Sequence, residues 1–581
     1  MPSQRPTPAA SSLSNRTLAW LGVLLVFGAL GFRLGYLPLF APDEGRNAEV
    51  AREMKESGAW LVPTYNGLDY LDKPAFYFKA VALSLAALGD TQTAARLPSA
   101  LFGGALVLLT FGFCRKIYGT RAGLLAAIIV ATTPLYAANS RTVIFDIALA
   151  LFVCGAIFAG YLAEAAEGKS RRNWYLLGAA AAGLATLVKG PVGFLIPVLV
   201  LLMFNWLEGR RGAWKRLLSP LNFLIFFAIT LPWFVGLCLV HKDFFHYGVI
   251  DETFERFTSA KTFHRHEPFY FYIFIIAATF FPWSLLLPEA SLATWKRHWA
   301  KHSADRLCVV WSLVVVVFFS ISQSKLPGYI LSVAVSSGIL IARLFEVALA
   351  NPAGRPARMV ERATLIFAVL AVIVSAGMLI GAPHAGGLAH PLRIPVSAAA
   401  ELGHAALPLG GALAGLGIFG LAAVYWRRLA LCFLCLAFFF PLFGGVGMGA
   451  LHVIFDAKSG RPIAAALKDL PAGTELACLN CYPNGVPFYL GRTLTLISRD
   501  GNELTSNYVI YALKKETNWP SPIVPVADLD GWLAAQKKPV YLMVRQSDTN
   551  QLETIAAARG TTMQALPSGY WGAQLPAPGG S

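Results

Sequence analysis

Residues 17–37, near the start of the chain, read TLAWLGVLLVFGALGFRLGYL. This run is apolar except for Arg33, and it reaches the roughly 20 residues that a helix needs to cross a bilayer. The polar residues before it carry Arg5 and Arg16. Because no small-residue cleavage site follows convincingly, we interpret the run as an uncleaved signal anchor rather than a removable signal peptide.

Apolar runs of similar length recur through the first 450 residues. They lie at 96–114, 121–139, 142–163, 174–188, 190–207, 217–240, 269–288, 307–322, 328–347, 363–382, 405–425 and 429–450. The 581 residues are 56% hydrophobic and only 14% charged, whereas soluble domains carry about a quarter of charged residues. This composition disfavours a cytosolic enzyme, and it excludes a disordered chain, because such chains are poor in aromatic and aliphatic residues. The sequence predicts a polytopic α-helical membrane protein with about 13 transmembrane helices, within residues 1–453.

The basic residues indicate the orientation. If 74–89 does not cross the membrane, the connections on the side of the N-terminus hold 22 basic and 7 acidic residues, or +15 of the formal net charge of +16. Basic loops remain in the cytoplasm, so the positive charge is a topology signal rather than a nucleic-acid footprint. The N-terminus is then cytoplasmic, loops 37–95 and 241–268 are periplasmic, and 74–89 forms a helix at or dipping into the outer face.

Residues 454–581 turn polar and have the length of a separate domain of about 125 residues. We predict a soluble periplasmic α/β domain with helices near 458–469 and 549–559, and with strands at Thr493–Ile497, Tyr508–Leu513 and Pro539–Val544. Cys478 and Cys481 form a C-x-x-C pair in this domain. An external location permits a disulfide, which we favour over free thiols.

Ionisable residues crowd the predicted periplasmic loops beside the membrane. Asp43 follows the first span and Asp146 begins another, so each is either a helix N-cap or a functional carboxylate. Lys189 precedes a Gly-Pro turn, where it suits a snorkelling lysine. Lys325, in a loop between spans, is suited to binding phosphate as a point charge. Together these acids, bases and aromatic residues suit an anionic, lipid-linked substrate.

Three segments carry a resemblance to a known family. They are Asp43-Glu44-Gly45-Arg46-Asn47-Ala48-Glu49, Asn66-Gly67-Leu68-Asp69-Tyr70-Leu71-Asp72-Lys73-Pro74 and Ser322-Gln323-Ser324-Lys325-Leu326-Pro327-Gly328-Tyr329. Their order resembles the C-type glycosyltransferases (GT-C fold), in particular bacterial members related to the protein O-mannosyltransferases, and among these the lipid A 4-amino-4-deoxy-L-arabinose transferases. The resemblance covers nearly the whole chain. Ser332 departs from it, since relatives often have proline after this segment.

The resemblance implies transfer of a sugar from a polyprenyl-phosphate donor, such as undecaprenyl phosphate aminoarabinose, to lipid A on the periplasmic face of the inner membrane. It implies an inverting reaction with Asp43 and Asp146 as catalytic residues. Arg46 and Lys73 would lie near the lipid phosphate, and Tyr70 and Tyr329 would line the donor. The sequence shows no Walker loop or dinucleotide fingerprint, so no nucleotide cofactor is expected.

The resemblance also implies a zinc ion, held by a carboxylate before the Lys-Pro pair and by a later histidine. The carboxylate falls on Asp72, where relatives usually have glutamate, and the histidine on His264 or His266.

Two other functions stay open. One is protein O-mannosyltransferase-like transfer to another envelope acceptor, and the other is a flippase for polyprenyl-linked sugars. Transporters usually place polar residues near the bilayer midplane, which disfavours the flippase.

Overall fold

A computed structural model describes residues 14–248, 267–295, 302–392, 394–471, 473–516 and 518–577. Within these ranges, eight helices are long and apolar enough to cross a membrane, or up to ten if each of two bent pairs is one span. The eight are Gln92–Tyr118, Asp146–Glu164, Ala213–Val240, Ser303–Ile321, Pro327–Ala350, Arg355–Leu392, Val396–Tyr425 and Leu429–Val446. The bent pairs are Thr120–Thr132 with Pro134–Ser140, at 71°, and Phe271–Thr279 with Trp283–Leu292, at 113°.

The predicted count of thirteen spans is therefore not confirmed, because several apolar runs are divided by turns. Helices Asn15–Leu30 and Val192–Leu207 have 16 residues each, which is short of a full span. Helix Gly168–Lys189 begins with charged residues and ends at Gly190, whose φ of +75° suits glycine. Pro134 ends the preceding helix Thr120–Thr132, because proline has no backbone N–H and disfavours the helical conformation of the residue before it.

The first predicted loop is a folded unit. Helix Asp43–Ser57 is followed by strands β1, Thr64–Tyr65, and β2, Leu68–Asp69, which pair antiparallel, and by helix Phe76–Leu88. The predicted helix at 74–89 is present with 13 residues. Its position at the outer face stays a prediction.

The predicted C-terminal α/β architecture is confirmed by a six-stranded sheet of order β5-β4-β3-β6-β8-β7. Strands β3 to β6 pair in parallel, and β8 pairs antiparallel with both β6 and β7. The strands are β3 Glu475–Leu479, β4 Thr495–Ser498, β5 Ile523–Pro525, β6 Val540–Arg545, β7 Met563–Leu566 and β8 Tyr570–Leu575. The helices of this domain are Arg461–Leu467, Val486–Leu490, Asn507–Leu513, Leu529–Ala535 and Thr549–Ala558.

Two predictions for this domain were wrong. The segment predicted as strand Tyr508–Leu513 is a helix, Asn507–Leu513. The Ser506 hydroxyl caps it by accepting a hydrogen bond from the N–H of Val509 at 3.3 Å, which favours a helix over an extended segment. The predicted disulfide is not formed, because Cys478 and Cys481 are buried free thiols. The Cys481 thiol instead donates to the carbonyl of Met543 at 3.6 Å.

The C-terminal domain and the first loop share one apolar core. Tyr65, Tyr70 and Phe78 of the loop belong to the same buried cluster as Tyr482 and Tyr508 of the domain. A separate core fills the helix bundle, and a small third core covers the opposite face of the sheet. The predicted boundary at residue 454 falls inside helix Met448–Ala457, and the domain that follows packs directly onto the segment that carries the candidate site.

Candidate functional site

A buried ion pair places the start of helix Asp43–Ser57. Glu44 accepts two hydrogen bonds from Arg96, both at 2.8 Å, and also one each from the backbone N–H groups of Phe40 and Val143, both at 3.0 Å. Both ionic side chains are only 2% exposed. A buried charge needs a partner and several hydrogen bonds, and this network supplies them from three segments, around residues 40–44, 96 and 143.

Asp43 is the first residue of this helix and is not its cap, which corrects the capping interpretation. The cap is Pro42, and no side chain caps the helix. A carboxylate in the first turn still gains from the helix dipole. The Asp43 side chain is 54% exposed, and its Oδ1 lies 2.6 Å from Nη2 of Arg46. Asp43 is therefore both held in place and open to a second molecule.

Arg46 connects the first loop to the C-terminal domain. Its Nη1 donates to the carbonyl and the hydroxyl of Thr505, at 3.0 and 2.8 Å. Its guanidinium carbon lies 6.0 Å from the centre of the Tyr70 ring. Burial lowers the pKa of Arg46, but Tyr70 and Asp43 outweigh this effect and hold the pKa above its ordinary value. Arg46 is thus a fixed positive charge.

Asp72 does not fit the predicted zinc site. Its Oδ1 accepts hydrogen bonds from the Tyr247 hydroxyl and the Tyr508 N–H, both at 2.7 Å, and its Oδ2 accepts one from the Asn507 N–H at 3.0 Å. Both oxygens are therefore occupied by N–H and O–H donors. The described ranges contain no group of three or more His, Cys, Asp or Glu that could hold a metal ion.

The two predicted histidine ligands, His264 and His266, lie outside the described residues. Lys73, next to Asp72, donates from Nζ to the Asp72 carbonyl at 2.5 Å. The zinc ion stays a prediction from the resemblance.

A second charged pair, Asp146 and Lys189, lies where one helix begins and another ends. Asp146 is the first residue of helix Asp146–Glu164, capped by Phe145, so Asp146 is not an N-cap either. Its carboxylate forms an ion pair with Lys189, and both side chains are mostly buried. The Lys189 Nζ lies 4.4 Å from the centre of the Tyr329 ring. A Cβ on Gly328 would lie only 3.1 Å from Asp146 Oδ2, so a larger residue here would require the carboxylate to shift by a few tenths of an ångström.

The predicted site residues thus fall into separate groups. Asp43, Arg46 and Tyr70 form one, and Asp146 and Tyr329 form another, which borders an apolar crevice lined by Leu149, Val153, Val192, Ile196 and Phe319. Lys325 lies in a third loop, 5% exposed, where its Nζ donates to the Glu267 carbonyl at 2.9 Å.

The sequence analysis predicted no role in the site for two residues, Lys189 and Thr505. Lys189 interrupts an otherwise apolar run before a Gly-Pro turn, and a charge at such depth is a signal of function. Thr505 carries no comparable signal, because only the packing of the C-terminal domain brings it to Arg46.

Comparisons with known proteins agree with this architecture. The family described as dolichyl-phosphate-mannose-protein mannosyltransferase matches residues 72–235. The undecaprenyl phosphate-alpha-4-amino-4-deoxy-L-arabinose arabinosyl transferase 2 of Sodalis glossinidius is 32% identical over 434 residues, 73% of this chain and 75% of that protein. An arabinosyl transferase with the same donor in its name, from Erwinia tasmaniensis, is 28% identical over 403 residues, 69% of this chain and 71% of that protein.

Solved structures share the fold. The crystal structure of ArnT from Cupriavidus metallidurans bound to undecaprenyl phosphate has a TM-score of 0.81 at 24% identity, covering 96% of this chain and 97% of that one. The archaeal oligosaccharyltransferase AglB from Archaeoglobus fulgidus has a TM-score of 0.52 at 11% identity, covering 94% and 71%. The predicted C-type glycosyltransferase fold is confirmed. Since the chain spans three quarters of its Sodalis relative at 32% identity, it belongs to the family of undecaprenyl phosphate-alpha-4-amino-4-deoxy-L-arabinose arabinosyl transferases.

Proposed function

We propose that this protein transfers 4-amino-4-deoxy-L-arabinose from undecaprenyl phosphate to lipid A, at the periplasmic face of the inner membrane. The names of its relatives supply the donor and the sugar. The observation that carries the proposal is the pair of Asp43 and Arg46, where a half-exposed carboxylate lies 2.6 Å from a fixed guanidinium. Such a pair places a group that orients an acceptor beside a group that binds a phosphate.

The reaction is an inverting displacement at the anomeric carbon of the sugar. An acceptor oxygen forms the new bond to this carbon, and the bond to the undecaprenyl phosphate oxygen breaks, so that the lipid phosphate leaves with the electron pair. Arg46 and Lys73 stabilise the charge that develops on this phosphate, because preorganised cations act strongly in a site shielded from water. Asp146 and Tyr329 border a narrow apolar crevice that Leu149, Val153 and Phe319 also line.

Asp43 has one of two tasks, which depend on the acceptor. A phosphate oxygen of lipid A is already anionic, so Asp43 only positions the acceptor or the sugar. An acceptor hydroxyl must lose its proton, and Asp43 then accepts it as a general base. In both cases the donor is already activated, and no nucleotide is needed.

The orientation belongs to the same proposal. With a cytoplasmic N-terminus, the basic connections lie in the cytoplasm, as the positive-inside rule requires, and Asp43, Arg46 and Lys73 face the periplasm. An alkaline phosphatase fused after Ser581 should be active in cells, since this enzyme folds only in the periplasm. An inactive, stable fusion would reverse the orientation.

The function is tested with purified full-length protein in lipid nanodiscs, given undecaprenyl phosphate aminoarabinose and lipid A. Mass spectrometry should show lipid A that has gained one aminoarabinose, and cells that lack the gene should lose this modification. Loss of a protein glycan instead would favour a protein O-mannosyltransferase-like acceptor. Movement of the lipid-linked sugar between leaflets without transfer would identify a flippase.

A further inference from the structure

One turn of the C-terminal domain reaches the candidate site directly. Thr505 offers Arg46 two acceptors on one residue, its carbonyl at 3.0 Å and its hydroxyl at 2.8 Å. The two residues lie 459 positions apart in the chain. The domain therefore contributes a hydrogen-bonding group to the guanidinium that also pairs with Asp43.

The backbone of Thr505 adopts a conformation that its residue type disfavours. Its φ is +56°, in the left-handed region, where a β-branched residue is rare. Glycine would adopt this conformation more readily. Strained residues are concentrated at functional sites. A threonine in this conformation therefore indicates a function for its side chain, which accepts a hydrogen bond from Arg46.

The turn is also held from its other end. Asp72 accepts hydrogen bonds from the N–H groups of Asn507 and Tyr508, at 3.0 and 2.7 Å, and is itself only 6% exposed. Lys73 follows Asp72 in the chain, so this attachment also positions the loop that carries the second candidate phosphate-binding residue. The turn from Thr505 to Tyr508 thus bridges Arg46 and Asp72.

Arg46 keeps part of its guanidinium unused. Nη2 donates to Asp43 and Nη1 to Thr505, while Nε is buried without a hydrogen-bond partner among the described residues. An arginine offers its Nε and one Nη together to a phosphate or carboxylate. A buried donor without a partner is costly and is normally satisfied, so an anionic oxygen that binds here would remove this cost.

We propose that Thr505 is a positioning residue of the donor-phosphate site, which holds Arg46 in the orientation that leaves Nε for the phosphate of the lipid donor. Asp72 holds the Thr505 turn in place. This proposal rests on the proposed function only in taking undecaprenyl phosphate as the ligand of Arg46. It makes the C-terminal domain a part of the active site.

The test compares Thr505→Gly and Thr505→Ser in the full-length protein, with undecaprenyl phosphate as the probe. Thr505→Gly relieves the backbone but removes the hydroxyl. Its melting temperature should equal or exceed that of the wild type, while its Kd for undecaprenyl phosphate rises about tenfold, the usual effect of one lost hydrogen bond to a charged group. Thr505→Ser, which keeps a hydroxyl, should recover most of this loss.

Ser568→Gly is the matched control, since Ser568 is also a left-handed residue of this domain, with φ +61°. It should change stability without changing binding. In an Arg46→Ala background, Thr505→Gly should have no further effect on binding. Unchanged binding by Thr505→Gly, or weaker binding only together with a lower melting temperature, would overturn the proposal.

The test separates this proposal from the proposed function. If the wild type binds undecaprenyl phosphate and the variants behave as expected, the role of Thr505 stands even when no aminoarabinose is transferred. A wild type that does not bind undecaprenyl phosphate would overturn both proposals.

Discussion

Lys189 forms an ion pair with Asp146, although 43 positions separate the two residues in the chain. The pair joins the end of helix Gly168–Lys189 to the start of helix Asp146–Glu164. Both side chains are mostly buried, at 13% and 11% exposed, and the lysine also lies beside Tyr329. The partner of Asp146 is thus a lysine whose position in the sequence suited a simple snorkelling role.

Lys189→Met should therefore lower both stability and transfer. Removing one partner leaves an unpaired buried charge, which costs about 3–5 kcal/mol. The double variant Lys189→Met with Asp146→Leu should recover most of the stability but none of the activity. Thermal unfolding and transfer assays check this, and a double variant with wild-type activity would show that the pair is only structural.

Asp43→Asn should reduce transfer by about 10²- to 10⁴-fold if Asp43 is a general base. Because Asp43 is 54% exposed, the loss of its ion pair with Arg46 should cost no more than about 1 kcal/mol of stability. Asp90→Asn is the control, since Asp90 is another loop aspartate, paired with Lys55 at 2.7 Å. It should retain transfer. Equal rates for Asp43→Asn and the wild type would exclude Asp43 from the reaction.

Lys73→Met should lower kcat/KM for the lipid donor by about 10- to 100-fold, the range expected for a lost hydrogen bond to a charged group. The KM for the acceptor should stay constant. Lys79→Met, six positions further along the chain in helix Phe76–Leu88, serves as the control and should leave the donor kinetics intact. Unchanged donor kinetics in Lys73→Met would argue against phosphate binding by Lys73.

Glu44→Gln should destabilise the protein by about 3–5 kcal/mol, because Arg96 then loses its buried counter-charge. Glu44 is held by four hydrogen bonds, so Asp43 and Val143 should also lose their fixed positions. Glu553→Gln, at an exposed position, should have almost no effect. Chemical unfolding of both variants measures the difference, and similar values would contradict the anchoring role.

Stability should decrease between about pH 5 and 7 through Glu49. Burial raises the pKa of Glu49 to about 7, against the opposing effect of Arg52. The folded protein then retains a proton that the unfolded chain has released, so the stabilisation is complete below about pH 4.5 and is lost as the pH rises to 7. The melting temperature of Glu49→Gln should lack this decrease, whereas Glu56→Gln should keep it. An identical pH profile for Glu49→Gln would refute the assignment.

Much of the architecture was predictable from short stretches of sequence. A helical membrane protein with an α/β domain was predicted from long apolar runs, basic connections and a polar C-terminal region. Each of these features is visible within a short stretch of sequence. The number of spans was not predictable in this way, because prolines and glycines divide several runs. The predicted strand Tyr508–Leu513 was wrong, because a short apolar segment fits a strand and a helix equally well until its cap is known.

Composition and motifs are local properties of the chain, so they were enough to predict the class of the protein and most candidate site residues. The contacts of these residues depend on the tertiary structure. It bonds Asp72 to the first N–H groups of helix Asn507–Leu513, pairs Asp146 with Lys189, and brings Thr505 to Arg46 across 459 positions. The physical reason is that buried charges must find partners wherever packing supplies them, and these partners lie far apart in the chain.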